Sequence, residues 1–240
     1  MVFTHSTPDD HRLWLHQTAR FSAWYRTIAI DLAGYGRSPA VQPGVTLADQ
    51  AAACWEAVDR VTSDACILQG NSIGSSVAML MAHQRPERTL ALIVSGTGYI
   101  KDRSMMARWA DRYRAEGIAL RHHQILDHFS PEAQKLPLVR HYADMLVELN
   151  NEGTLESIIA MNVANAEPRP DEFYTTLDVP TLILSGSADR NHPTSFELQK
   201  RIKGSELVTL EGAGHACCFE RPWEFDDHCI RFLEKRGLFP

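Results

Sequence analysis

Short apolar runs recur along the chain, and they predict strands that are buried on both faces. An apolar run of about four to eight residues suits a parallel strand covered by helices, because neither of its faces meets water. Such runs occupy residues 27–31, 65–69, 90–94, 181–184 and 206–210, and residues 2–4 form the end of a further strand. We therefore predict a mostly parallel sheet of about six strands.

Helical patterns separate these strands. Thr46 and Asp49 are spaced as a capping box, which satisfies the first free N–H groups of a helix. A later helix is predicted to begin at Pro222, where a missing N–H costs nothing, and to end by Gly237. Its apolar stripe consists of Phe225, Cys229, Phe232 and Leu233. The alternation of strand and helix indicates an α/β fold with right-handed crossovers.

The alternation stops between residues 98 and 178. Met105, Met106, Trp109 and Tyr113 repeat there at helical spacing, and no convincing strand is present. We interpret this stretch as a helical cap inserted between two strands. The predicted organisation is an α/β core of residues 1–97 and 179–240 with a cap at 98–178.

Composition and charge narrow the functional classes. The formal charge is −6 without a basic stripe, so a small-molecule substrate is expected and nucleic acid is not. No apolar run approaches the roughly 18 residues that span a bilayer, and the amino terminus lacks a signal-peptide pattern. An odd number of cysteines, five, suits reduced thiols, so we expect a cytoplasmic protein without membrane contact.

No metal or cofactor is expected. The chain contains no C-x-x-C pair. Four histidines fall within the predicted cap, but their spacing does not force them to converge on an ion, and we interpret them as a polar face. They are His122, His123, His128 and His141.

A G-x-S-x-G pattern follows the third predicted strand. Gly70-Asn71-Ser72-Ile73-Gly74 comes directly after residues 65–69 and precedes a helical run that ends before Pro86. So sharp a turn from strand to helix leaves no room for side chains at its flanks, which explains both glycines. The turn presents the hydroxyl of Ser72 at a helix N-terminus, where developing negative charge is favoured. Ser72 is the candidate nucleophile.

A serine hydroxyl needs a base, and the base needs an acid to orient it. His215 follows the last predicted strand in a glycine-containing loop and is the candidate base. Two residues are candidates for the acid that orients His215: Asp189 after residues 181–184, and Asp102 after residues 90–94. We favour Asp189, because the order serine, aspartate, histidine accompanies the G-x-S-x-G turn in hydrolases.

Four ordered motifs resemble the landmarks of α/β-hydrolases: DLAGYGRS at 31–38, GNSIGSS at 70–76, LSGSADRNHP at 184–193 and GAGHACCFERP at 212–222. The GNSIG turn and the short cap look most like enol-lactonases and small esterases. The resemblance implies an oxyanion hole made by the backbone N–H groups of Ile73 and Thr7. Ser6 stands where the family usually has glycine, which leaves the competence of this loop open.

Members of this family normally have an antiparallel hairpin before the strand at residues 2–4. We expect the hairpin to be missing here, so that this strand forms an edge of the sheet with unpaired backbone groups. A second copy of the chain would cover such an edge. A homodimer or poor solubility is the predicted consequence.

The resemblance implies an enzyme that cleaves a small ester or lactone through an acyl-enzyme. The candidate pocket residues are His5, Met105, Trp109, Met161 and Phe219. The cap methionines, Met106 included, and Trp109 leave two interpretations open, an acyl pocket or the cap's own packing face.

Two other classes of function stay open. Asn71, directly before the serine, resembles the residue at this position in hydrolases that cleave carbon–carbon bonds of ring-fission products. Arg108, Arg112 or Arg190 would then hold a substrate carboxylate. The other alternative is a ligand-binding signalling member or an inactive member of the fold.

Overall fold

Six strands form one parallel sheet, which confirms the predicted fold class. The computed structural model describes residues 1–148 and 154–240, with strands β1 to β6 at Val2–Thr4, Ile28–Ile30, Cys66–Asn71, Thr89–Ser95, Thr181–Gly186 and Glu206–Leu210. Their spatial order is β2-β1-β3-β4-β5-β6, and all the pairings are parallel. The carboxyl ends of the strands therefore share one edge, where the loops with the candidate residues begin.

The amino-terminal strand is not at the edge of the sheet, so that expectation is wrong. Val2 of β1 is opposite Ile28 of β2 on one side and Leu68 of β3 on the other. After β1 the chain passes through a helix and returns on the outer side as β2. The edge strand on this side of the sheet is β2, whose residues are half-buried whereas those of β1 are buried. An exposed edge at β1 therefore gives no reason for a homodimer.

Helices flank the sheet in the described part of the chain. Helices α1 to α3 lie at Leu15–Phe21, Leu47–Asp59 and Ile73–Gln84. Helices α4 to α8 lie at Ser104–Glu116, Leu120–Asp127, Pro137–Val147, Thr154–Ala166 and Glu172–Thr175. Helices α9 to α11 lie at His192–Arg201, Cys217–Glu220 and Pro222–Glu234, and 3₁₀ turns occupy His11–Trp14, Pro86–Arg88 and Ala133–Lys135. None of these helices has the length and apolar character needed to cross a lipid bilayer.

The chain between β4 and β5 contains only helices among its described residues, as the sequence predicts. Helices α4 and α7 pack against each other and share a hydrophobic core with α2, α3 and one face of the sheet. The division into a core of 1–97 and 179–240 and a cap of 98–178 stays a prediction.

Neighbouring residues of a strand face opposite sides of the sheet, which divides the core into two layers. Val2 and Leu68 pack in the layer of α2 and α3, whereas Phe3 and Ile67 pack in the layer of α1 and α11. The predicted apolar stripe of α11 is buried in the second layer, and the predicted capping box of α2 is present. Packing in these two layers holds the sheet in place, and with it the carboxyl edge that carries the candidate residues.

Candidate active site

Ser72 lies at the sharp turn from β3 into α3. Its backbone has φ 57° and ψ −119°, and it is the one non-glycine residue with positive φ in the described part of the chain. Such a conformation costs about 1–3 kcal/mol and persists only where the surroundings impose it. The side chain is half-buried, and its hydroxyl has no hydrogen-bond partner among the described residues. The hydroxyl is therefore free to turn toward a base or a substrate.

Close backbone packing requires the two glycines of this turn. A Cβ on Gly70 would lie 2.5 Å from the carbonyl of Gly74. A Cβ on Gly74 would lie 2.2 Å from the carbonyl oxygen of Thr4. The second contact also brings the end of β1 against the first turn of α3, next to Ser72.

His215 and Asp189 form a buried hydrogen-bonded pair, with 2.9 Å between Nδ1 and Oδ2. The loops after β5 and β6 that carry them are tied together. The N–H of Ala188 donates to the carbonyl of Ala213 at 2.9 Å. Gly186 approaches so closely that a Cβ there would lie 2.2 Å from the same oxygen. The two loops therefore hold the carboxylate behind the imidazole.

Asp189 is held in its ionised form. Burial alone would raise its pKa, but the charge and hydrogen bond of His215, with the N–H of Asn191 at 2.9 Å, bring the pKa of Asp189 below its ordinary value. An ionised carboxylate on Nδ1 leaves Nε2 of the imidazole free as a base. Asp102, the alternative acid, is exposed and accepts the N–H of Ser104 at 2.9 Å.

Gly96 brings the imidazole close to the Ser72 turn. The N–H of Ser72 donates to the carbonyl of Ser95 at 2.8 Å. A Cβ on the following Gly96 would lie 3.2 Å from Cε1 of His215 and 2.9 Å from Oδ1 of Asn71. No hydrogen bond joins Ser72 to His215 in the part of the chain that is described, and such bonds often tighten only when substrate binds.

Two backbone N–H groups, one after β3 and one after β1, lack an acceptor among the described residues. Ile73 is the first residue of α3, and Thr7 lies in the loop after β1. Neither N–H donates to a described residue. An oxyanion hole needs two preorganised donors of this kind, which keeps these two N–H groups as its candidates.

Ser6, where glycine is usual in the family, fits into the loop through its hydrogen bonds. Its hydroxyl donates to Oδ2 of Asp9, and its carbonyl accepts the N–H of Asp9 at 2.9 Å and Nδ1–H of His5 at 2.8 Å. Nε2 of His5 accepts the N–H of Leu32 at 2.9 Å. The serine side chain is therefore part of the loop, and His5 fixes that loop to the chain after β2.

Residues outside the predicted catalytic set hold the His215 loop from the other side. The ring of His128 lies 4.8 Å from the ring of His215, centroid to centroid. The carboxylate of Glu220 accepts the N–H groups of Gly214 and Ser130, each at 3.0 Å. The last pair is separated by 90 residues in the chain, so only the folded structure reveals it.

A small cavity of about 20 Å³ lies beside Ser72. It is lined by the turn, the loops after β4 and β5, and the cap: Ser72, Ser76, Gly96, Thr97, Ile100, Arg103, Met106, Asn165 and Asn191. A cavity of this volume holds about one water molecule. The reacting group of a substrate fits there, but the remainder needs lining side chains to move aside.

The five predicted pocket residues do not line this cavity: His5, Met105, Trp109, Met161 and Phe219. Trp109 and Met161 are buried in the core shared by α4 and α7, with Met105 packed against it. Phe219 stacks on Tyr142 at 4.4 Å between centroids. Met106 lines the cavity instead of Met105, because neighbouring residues on a helix point about 100° apart.

Residues 1–225 match the sequence model of the alpha/beta hydrolase family. The chain belongs to this family. The AB hydrolase superfamily protein YisY of Bacillus subtilis is 27% identical over 97% of this chain and 90% of its own. The pimeloyl-[acyl-carrier protein] methyl ester esterase of Neisseria meningitidis is 29% identical over 82% of this chain and 78% of its own. Family membership supports hydrolase activity.

Solved structures share the fold of this hydrolase. The enol-lactonase from Burkholderia xenovorans has a TM-score of 0.85 at 22% identity, over 97% of this chain and 90% of its own. A thermophilic esterase from Thermogutta terrifontis has a TM-score of 0.80 at 24% identity, over 98% of this chain and 89% of its own. At such identities the likeness concerns the fold.

The arginines considered for carbon–carbon hydrolysis do not line the cavity of this hydrolase. Arg108 and Arg190 are exposed, and Arg112 pairs with Glu116 at 2.8 Å. Arg103, which no sequence motif marks, lines the cavity in their place.

One group of described residues in this hydrolase has its ligand atoms close enough to hold a metal ion, within 4.8 Å of one another: Asp10, His11 and Asp31. Their side chains already form hydrogen bonds and ion pairs within the protein. Nδ1 of His11 lies 2.7 Å from Oδ1 of Asp31, and Asp10 pairs with Arg12 at 2.6 Å. Among the described residues, the four cap histidines form no such group: His122, His123, His128 and His141.

Proposed function

We propose that this protein is a serine hydrolase that cleaves a small carboxylic ester or lactone. One juxtaposition at the sheet edge carries the proposal. The strained turn at Ser72 lies beside the hydrogen-bonded pair of His215 and Asp189. The N–H of Ile73 directly follows Ser72, the N–H of Thr7 lies in the loop after β1, and neither has an acceptor among the described residues. Together these groups supply a nucleophile, a base, its orienting acid and oxyanion donors.

The reaction follows from these roles. Ser72 attacks the carbonyl carbon of the substrate while Nε2 of His215 takes the hydroxyl proton, and Asp189 stabilises the resulting imidazolium. The N–H groups of Ile73 and Thr7 bind the oxyanion. The alcohol then leaves with the proton of His215. Water activated by the same imidazole attacks the acyl-enzyme and releases the acid.

The class of substrate is supported by two observations. Relatives and structural neighbours include proteins named as a methyl ester esterase, an esterase and an enol-lactonase. Ile100 and Met106 are the two large apolar side chains in the lining of the cavity at Ser72, and they would contact the acyl chain of a small ester or lactone once the lining moves aside.

A fluorophosphonate probe, which labels activated serines, tests the proposal. We expect one labelled site in the wild type, no labelling of Ser72→Ala, and normal labelling of Ser63→Ala, whose serine is exposed between α2 and β3. Hydrolysis of p-nitrophenyl butyrate should fall at least about 10³-fold in Ser72→Ala. Labelling that persists in Ser72→Ala, mapped by mass spectrometry to another residue, would reject the proposal.

A further inference from the structure

A buried arginine that has no carboxylate partner among the described residues lines the cavity beside Ser72. Arg103 directly precedes α4 and is only 5% exposed. Its Nε donates to the carbonyl of Asn165, and its Nη2 donates to Oδ1 of Asn165, each at 2.7 Å. Its Nη1 has no acceptor among the described residues, yet it reaches accessible space. One side of the guanidinium is therefore held by α7, and Nη1 on the other side keeps unused N–H donors in a residue that lines the cavity.

A second guanidinium shares the same amide. Nη2 of Arg169 donates to Oδ1 of Asn165 at 3.1 Å. No carboxylate among the described residues raises the pKa of either arginine, and burial together with the charge of Arg169 lowers the pKa of Arg103 to about 9. By contrast, Arg12 has its acid, Asp10, at 2.6 Å. Arg103 and Arg169 thus form a cationic cluster without a counterion from the described chain.

Such a cluster favours an anionic ligand. Burying a charge without a partner is costly, and an anion at the open side of Arg103 offsets that cost. A carboxylate fits best, because its two oxygens match the planar N–H donors of a guanidinium. The cavity lined by Arg103 also contains Ser72. A carboxylate bound there would belong to the same small molecule as the acyl group.

We propose that Arg103, supported by Asn165 and Arg169, binds a carboxylate of the substrate. The preferred substrate is then an ester or lactone that carries a free carboxylate. This inference rests on the proposed function, since it names the substrate class of the Ser72 site. Arg103 determines specificity by orienting the acyl chain, and it takes no part in proton transfer.

Two esters of equal chain length test the proposal. Mono-p-nitrophenyl glutarate carries a carboxylate where p-nitrophenyl pentanoate ends in a methyl group. We expect the wild type to prefer the anionic ester about 10- to 100-fold in kcat/KM, chiefly through KM, because hydrogen bonds to charged groups have this strength. The ratio should fall to about 1 in Arg103→Met and be intermediate in Arg103→Lys. Lysine keeps the positive charge but lacks the paired planar N–H donors of the guanidinium.

The matched control is Arg108→Met, which removes an exposed arginine from α4 and should keep the wild-type ratio. The ratio is the decisive quantity, because damage to the fold lowers the rates for both esters together. A wild type that prefers the neutral ester overturns the proposal. So does an Arg103→Met protein that loses activity on both esters while its ratio is unchanged.

Binding to Ser72→Ala protein separates this inference from the proposed function. Calorimetry would compare monomethyl glutarate, dimethyl glutarate and inorganic phosphate without hydrolysis. We expect the monoester to bind at least about tenfold tighter than the diester, and Arg103→Met to abolish the difference. Equal binding of the two esters, or tighter binding of phosphate, overturns the carboxylate site even where esters are hydrolysed. Selective monoester binding without hydrolysis by the wild type supports the site and rejects the proposed function instead.

Discussion

A methyl group at Gly96 should disable the site more than it destabilises the fold. Gly96 has φ 56°, and a Cβ there would lie 2.8 Å from the carbonyl oxygen of His215 and 3.2 Å from Cε1 of its ring. It would also lie 2.9 Å from Oδ1 of Asn71. Because a backbone carbonyl cannot swing away as a side-chain tip does, Gly96→Ala should push the His215 loop outward.

The magnitude has two parts. An alanine in the left-handed region costs about 1–2 kcal/mol, which lowers the Tm of a chain of this length by about 2–8 °C. Displacing a catalytic group by about 1 Å lowers the rate by about 100-fold. We therefore expect kcat/KM for p-nitrophenyl butyrate to fall about 10- to 100-fold in Gly96→Ala. The change in Tm is measured separately by scanning calorimetry.

Gly204→Ala is the matched control, since Gly204 has φ 74° and nothing within 4 Å of the added Cβ. It should show the same backbone cost in Tm and wild-type kcat/KM. If Gly96→Ala keeps wild-type activity while its Tm falls like that of the control, the position of His215 inferred from Gly96 is refuted.

Two further substitutions test the electrostatics. Asp189→Asn removes the ionised partner of His215 and should lower kcat by about 10³–10⁴-fold with little change in Tm; a fall below tenfold would contradict the role of Asp189. Asp226 is buried, with Gln17 on Oδ1 at 2.8 Å and no partner on Oδ2 among the described residues, and burial raises its pKa to about 6. Because this value exceeds the unfolded value of about 3.9, the folded state loses stability as pH rises between about 4 and 6. Asp226→Asn should therefore stabilise the fold by about 1–3 kcal/mol at pH 7.5 and hardly at pH 4 in urea denaturation, and an equal change at both pH values would contradict this origin.

The features predicted correctly from the sequence are those with a local cause. A strand buried on both faces needs a continuous apolar run, so all six strands coincide with predicted runs. The turn at Ser72 needs glycine on both sides because backbone atoms occupy the space of a Cβ. Such causes act within a few residues and leave a pattern that can be seen in the chain itself.

The spatial order of the strands has no such local signal. Residues 2–4 are expected at an edge because the antiparallel hairpin that normally precedes this strand in the family is expected to be missing. The strand at Ile28–Ile30 takes the outer place because the connection through α1 returns the chain on the far side of β1. Its half-buried residues belong to the same apolar class as those of the central strands, so composition does not mark it as the edge.

Substrate specificity is harder to predict than catalytic chemistry, and the cap shows why. Helical periodicity says that one face of α4 is buried, but the rotation that places Met106 and not Met105 at the cavity is set by packing against α7. Arg103 meets Asn165 across 62 residues, with no spacing rule to join them. Chains with identical turn and loop motifs can therefore share one reaction and differ in substrate. A small rotation of α4 moves Arg103, which directly precedes this helix, out of the cavity and changes which acids are released.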